Sequence, residues 1–288
     1  MSGAVMPMTR RGRLLRNPGF VVGAAIVGFA AIVAILAPWI VPYDPFAIDL
    51  NRRLVPPSFM EGGVPQNFLG TDQLGRDYLS RLIYGARISM VIGVLTVITS
   101  GLIGITLGVL GGFYGGKIDD FVGFCITPRL SIPAGGGGLA GAGPGGGAFL
   151  LGGVVLGLLL WDRFAVVARS TTMQIRNLDY VAAAWCAGVS RWWVLTREVL
   201  PNIATHLAVV ATLEMALAIL LEAALSFLGL GVPPPLPSWG LMISEAKEYM
   251  FFEAWVIIIP GAALFLLVLG VNLLGDALRD MMGTDLSR

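Results

Sequence analysis

Histidine, cysteine and charge are scarce in this chain of 288 residues, and each shortage closes off a kind of chemistry. His206 is its one histidine, so the chain cannot build a histidine-based metal site, and no metal is expected. Cys125 and Cys186 lack CxxC spacing and are too few for a disulfide framework, which leaves small apolar packing positions as their expected role. Charged residues make up only 13% of the chain and sum to a net charge of +1, so no domain-wide basic surface exists for nucleic acid. No GxxxxGK[ST] run occurs, which excludes a P-loop for ATP in this polypeptide. Isolated serines lack a GxSxG setting, and no HExxH or carboxylate pair stands out, so no catalytic residue is expected.

Apolar side chains are what the sequence has in excess. They reach 56% of the residues and give a mean hydropathy of +0.80, whereas soluble domains carry about a quarter charged residues. The sequence therefore predicts an all-α polytopic membrane protein of about six transmembrane helices, with the lipid bilayer as its surroundings. Residues 1–18 read as a cytoplasmic N-terminal segment, with Arg10, Arg11, Arg13 and Arg16 directly before a first span over 19–42. That span is too long for a signal-peptide core and is expected to stay as an anchor. Residues 43–87 read as an external loop, rich in proline, that ends in an interfacial amphipathic helix capped by Thr71 or Asp72. Residues 88–282 hold the remaining five spans, starting near Ile88, Phe121, Phe149, Ile203 and Phe252, and 283–288 form a tail. In the second span Gly101, Gly104, Gly108 and Gly111 offer a small-residue packing face. The third span runs into a tract over 134–148 so rich in glycine that it is either an irregular segment lining a water-filled pathway or an altered sequence. The assigned cytoplasmic segments hold twelve Lys and Arg, Arg163 among them, against six in the external ones, a bias that places both termini in the cytoplasm.

The longest polar interruption in the second half lies within 169–202. Asp179 stands where a helix cap belongs, alanines follow, Gly188 supplies a stop, Ser190 can cap a second helix, and Pro201 limits it. By itself this reads as an interfacial helical hairpin between two spans. Ala183-Ala184, Gly188 and Leu200-Pro201 resemble the EAA loop of bacterial ABC importer membrane subunits, whose first helix docks on an ATPase. On that resemblance Asp179, Tyr180, Ala183, Ala184, Gly188 and Pro201 are the ATPase-coupling residues. Ala182 stands where the family commonly has glutamate, three residues after Asp179, and the missing capping box is expected to cost roughly 0.5–1 kcal/mol.

Further segments are similar to the dipeptide/oligopeptide/nickel permease family, C-type. They are Leu69-Gly70-Thr71-Asp72 with Gly75-Arg76-Asp77, the following Ser80-Arg81-Leu82-Ile83-Tyr84-Gly85-Ala86-Arg87, Leu221-Glu222-Ala223-Ala224-Leu225-Ser226, Pro237-Ser238-Trp239-Gly240, and Asn272-Leu273-Leu274-Gly275-Asp276. The resemblance implies a subunit of a bacterial inner-membrane importer with the ABC type I fold that forms half of a translocation pathway. It implies a paralogous B-type permease, two ATPases that hold ATP and magnesium, and an external substrate-binding protein, with no cofactor in this chain. Asp72, Arg76, Asp77 and Trp239 are candidates for an external gate or receptor contact, against the plainer role of shaping a helix start. Glu214, Glu222 and Ser226 are the intramembrane polar candidates, because a charge inside a span costs at least about 2.5 kcal/mol and normally faces the bundle or water. The alternative is an ion-coupled secondary transporter or channel that works through Glu214 and Glu222. Peptides, nickel chelates, haem and glutathione all remain open as cargo.

Overall fold

The computed structural model describes residues 17–131 and 148–285. Along them run α1 (Pro18–Ile40), a 3-10 turn (Leu50–Arg52), α2 (Tyr78–Tyr114), α3 (Gly116–Ser131), α4 (Ala148–Arg176) and α5 (Asp179–Cys186). They are followed by α6 (Arg191–Val194), a π-helical turn (Leu195–Val199), α7 (Leu200–Phe227), α8 (Trp239–Ala246) and α9 (Trp255–Asp285). The fold is all-α, as expected, and the described residues hold five helices long and apolar enough to cross a membrane. The expected third span begins with α3; its continuation, together with the glycine-rich tract up to Gly147, lies outside the described residues.

Local chemistry sets the helix ends. Asn17 caps α1 by accepting a hydrogen bond from Gly19 N at 2.9 Å, and Pro18 takes the first helical position, where no N–H is needed. The 23 residues of α1 rise about 35 Å, enough for a bilayer core. The interfacial helix expected before Ile88 is not a separate element. α2 runs unbroken for 37 residues from Tyr78, its cap is Asp77 rather than Thr71 or Asp72, and its first turns are buried in the bundle. The apolar spacing from Leu79 to Ala86 simply stays in phase with the span beyond it, so nothing ends the helix.

α2 packs on α4 through its glycines. A Cβ at Gly104 would lie 2.3 Å from Trp161 O, at Gly108 2.4 Å from Ala165 O, and at Gly112 2.7 Å from Arg169 O. Backbone therefore meets backbone along this seam. The expected face is displaced at both ends: Gly101 makes only ordinary contacts, and Gly111 turns toward Val122 of α3.

Two prolines are absorbed into continuous helices, Pro201 among them. Pro260 has no N–H for the carbonyl of Val256, and the Tyr78 hydroxyl donates to that carbonyl instead, so α9 continues. Pro201 does not end the second helix of the hairpin. The π turn before it bonds Leu200 N to Leu195 O, and the Asn202 side-chain amide donates to Glu198 O at 2.6 Å, so α6 runs through into α7. The bundle thus has a loop end, carrying residues 41–77 and α8, and a hairpin end, carrying α5 and α6. Each end has its own core: Tyr78, Trp239, Met242 and Trp255 at the first, Phe113, Val181, Val194 and Val199 at the second.

Candidate functional site

The hairpin is short because its stop is built from backbone. Ala187 N bonds Ala183 O, Gly188 N bonds Trp185 O, and Val189 N bonds Ala184 O, a Schellman arrangement that needs a residue at positive φ; Gly188 supplies it at φ 76°. Ser190 then caps α6 by accepting from Trp193 N at 3.3 Å, as its sequence position predicts. Asp179 is not the cap. Leu178 occupies that position without a side-chain bond, and Asp179 is the first helical residue, where its charge suits the helix dipole. The capping-box positions are consequently Leu178 and Val181, so Ala182 does not leave a broken box.

The hairpin has two faces. Val181 is fully buried and Ala184 half-buried against the spans. Asp179, Tyr180, Ala182, Ala183, Trp185 and Gly188 are exposed, and a Cβ at Gly188 would meet nothing within 4 Å. Pro201 is exposed on the other arm, and Tyr180 is tied to that arm through its hydroxyl, which accepts from Asn202 Nδ2 at 3.3 Å. Partial burial, with the nearby Glu198 charge, pushes the Tyr180 phenol above its ordinary range. Phe113 and Trp185 stack edge to face at 6.4 Å, and a cavity of about 620 Å³ lined by Tyr114, Arg176, Trp185 and Arg191 opens beside them. Behind it, Arg169 Nη2 donates to Asp119 Oδ2 at 2.7 Å, which holds the Asp119 carboxyl below the usual range and ties α3 to α4.

At the loop end the candidates turn inward. Asp72 Oδ1 accepts from Leu74 N and Arg76 N at 2.8 and 2.9 Å, closing a tight turn. Its Oδ2 accepts from Arg76 Nε at 2.6 Å and from Arg81 Nη1. Both arginines reach on to Glu245 of α8, Arg81 at 2.8 Å and Arg76 at 3.3 Å. The turn requires Gly75, since a Cβ there would sit 1.8 Å from Asp49 O. Asp77 accepts from Ser80 N and from Asn67 Nδ2, both at 2.8 Å, and Trp239 Nε1 donates to Leu82 O at 2.9 Å. Asp72, Arg76, Asp77 and Trp239 are each at most 5% exposed. They form an internal brace between the loop, α2 and α8; a receptor contact by these side chains does not fit this burial.

Glu222 and Ser226 come together, and Glu214 stands apart. Glu222 Oε1 accepts from Ser226 Oγ and Ser238 Oγ, both at 2.8 Å, while Ser238 accepts from Leu241 N to cap α8. The carboxyl thus pins the proline-rich turn 229–238 to the end of α7. Glu214 faces α4, with Arg163 Nε 3.3 Å from its Oε1.

Residues 104–288 match the family described as binding-protein-dependent transport system inner membrane component, and residues 9–57 match the N-terminal TM domain of oligopeptide transport permease C. The chain belongs to this transport family. The permease is similar to the di/tripeptide transport system permease protein DppC of Pseudomonas aeruginosa, with 39% identity over 92% of this chain and 88% of that one. It is also similar to the dipeptide permease DppC of Haemophilus influenzae, at 37% over 95% of this chain and 92% of that one. The glutathione transport system permease protein GsiD of Pectobacterium atrosepticum shares 34% over 94% of this chain and 88% of that one. The expectation of a multi-span ABC importer permease of the peptide group is therefore met.

Sequence reasoning missed the partners that complete these sites in the permease: Arg81 and Glu245 of the brace, Asn67 beside Asp77, and Arg163 beside Glu214. Arg81 carried a signal, a cation inside the apolar pattern that opens α2. Glu245 carried none, being 164 positions away from it.

Proposed function

We propose that this permease forms half of the pathway of an ATP-driven importer of di- or oligopeptides in a bacterial inner membrane. The second half is a paralogous permease, an external binding protein delivers the solute, and two ATPases holding ATP and magnesium drive the cycle. The observation that carries the cargo is the likeness, at 37–39% identity over at least 92% of the chain, to permeases named for dipeptides. The hairpin supports the division of labour: it offers a largely exposed face, with Ala183 and Gly188 open, while its other face is fused to the core of the spans. Force applied at Ala183 and Gly188 reaches α4 and α7 through Val181, Val194 and Val199. With the hairpin in the cytoplasm, both termini lie on that side as well. An ion-driven carrier would gain support from Glu214 and Glu222 sharing a site, yet each holds different partners.

The test is to purify the tagged chain from its native membrane and assay the complex in vesicles. Two ATPases, a second permease and ATP-dependent dipeptide uptake are the expected result. A chain that purifies alone and moves solute without ATP overturns the reading.

A further inference from the structure

A charged pair stands half open near the middle of the bundle. Arg163 lies close to the midpoint of α4, about 20 Å from either end, and Glu214 lies opposite it on the continuous helix Arg191–Phe227, about 20 Å from that helix's loop end. Glu214 is fully buried, whereas the Arg163 side chain is 57% exposed. Neither carboxylate oxygen of Glu214 has a hydrogen bond among the described residues. An arginine at the centre of a bilayer costs at least about 2.5 kcal/mol and faces protein or water rather than lipid. The open face of α4 at Arg163 is therefore not a lipid face.

The arginine Nε lies 3.3 Å from Glu214 Oε1, while more than half of the arginine side chain stays open on the far side of that contact. A planar pair of N–H donors with fixed spacing is matched by a carboxylate in a bidentate contact, a match that lysine cannot make. Exposed Val166, one turn further along α4, lowers the local polarity, which strengthens such a contact.

We propose that Arg163 lines the translocation path and receives a carboxylate of the passing solute, and that Glu214 is the positioning residue that holds its guanidinium in place. The proposal rests on the importer reading above and adds to it the residue that meets the solute and the group it recognises.

The test uses the full importer, with both permeases, both ATPases and the binding protein, in vesicles with a dipeptide bearing a free C-terminus. Arg163→Ala is expected to lower import at least about tenfold, Arg163→Lys less because it keeps a point charge without the fork. Glu214→Gln lowers import as well, and Glu214→Asp restores part of it, a rescue that mere space-filling would not give. Independently, Arg163→Cys in a chain without Cys125 and Cys186 is expected to react with a water-soluble thiol reagent, and dipeptide with ATP slows the labelling. Import within about twofold of wild type for both Arg163→Ala and Arg163→Lys overturns the proposal. So does an introduced thiol that stays unlabelled with and without ATP, as it would if the second permease covered this face. A wild-type complex that hydrolyses ATP but imports no dipeptide overturns the importer reading and takes the proposal with it.

Discussion

The two ends of this permease handle polar groups in opposite ways. At the loop end, Asp72, Arg76, Arg81 and Glu245 are enclosed and bonded to one another, and Glu245 keeps the largest opening, at 17%. At the hairpin end, Asp179, Arg191 and Arg197 stand in the open around exposed Trp185, Trp192 and Trp193. A closed set of charges fixes geometry, because each member removed leaves another uncompensated. An open surface fixes little within the chain and leaves its free energy for a partner. The loop end is thus a brace that sets how α2 and α8 meet, and the hairpin end is a surface left open to a partner.

The largest effect should come from breaking the brace. Asp72→Ala leaves two buried guanidinium groups short of an acceptor and is expected to cost about 3–5 kcal/mol, read as a large drop in thermal stability of the detergent-solubilised chain. A stability equal to wild type would mean that the cluster is wet and loosely paired. Glu222→Leu strands the hydroxyls of Ser226 and Ser238 and should cost about 1–3 kcal/mol, whereas Glu222→Gln keeps an acceptor and should cost clearly less. Equal losses for the two variants would show that the hydroxyls do not depend on that oxygen.

At the hairpin the expected stability effects shrink while the functional ones do not. Gly188→Ala must adopt positive φ and should cost about 1–2 kcal/mol, with no added steric conflict because the site is open. Ala183→Arg places a bulky charge on an exposed position and should change stability by less than about 0.5 kcal/mol, yet release the ATPases in a pull-down. The smallest change concerns pH. Hydrogen bonds from Arg169 lower the Asp119 pKa in the folded chain, so this contact stabilises above the unfolded value near 3.9 and is lost as pH falls below it. Asp119→Asn should remove that acid sensitivity while leaving stability at neutral pH slightly reduced.

Much of this was legible in the sequence, and the misses share a cause. Gly188 and Ser190 were readable because positive φ and helix capping are local demands met by one residue type. The spans were readable because a bilayer imposes length and apolarity on each one separately. Asp179 was misassigned as a cap and Pro201 as a stop, since a one-residue shift and a π turn are settled by tertiary packing. The brace was half visible: Asp72, Arg76 and Asp77 stood out as a polar cluster, but burial and the link to Glu245 depend on how α8 folds back onto α2. Arg163 counts with the cytoplasmic cations in the sequence because nothing in its neighbourhood names Glu214, which lies on another helix and pairs with it inside the bundle.

The most direct measurement of the account is solute-stimulated ATP hydrolysis by the purified importer carrying Ala183→Arg, taken together with its thermal stability. The account predicts a chain as stable as wild type whose ATPases no longer associate or respond to loaded binding protein. Stimulated hydrolysis at the wild-type rate would contradict it and move the point of force entry away from the hairpin.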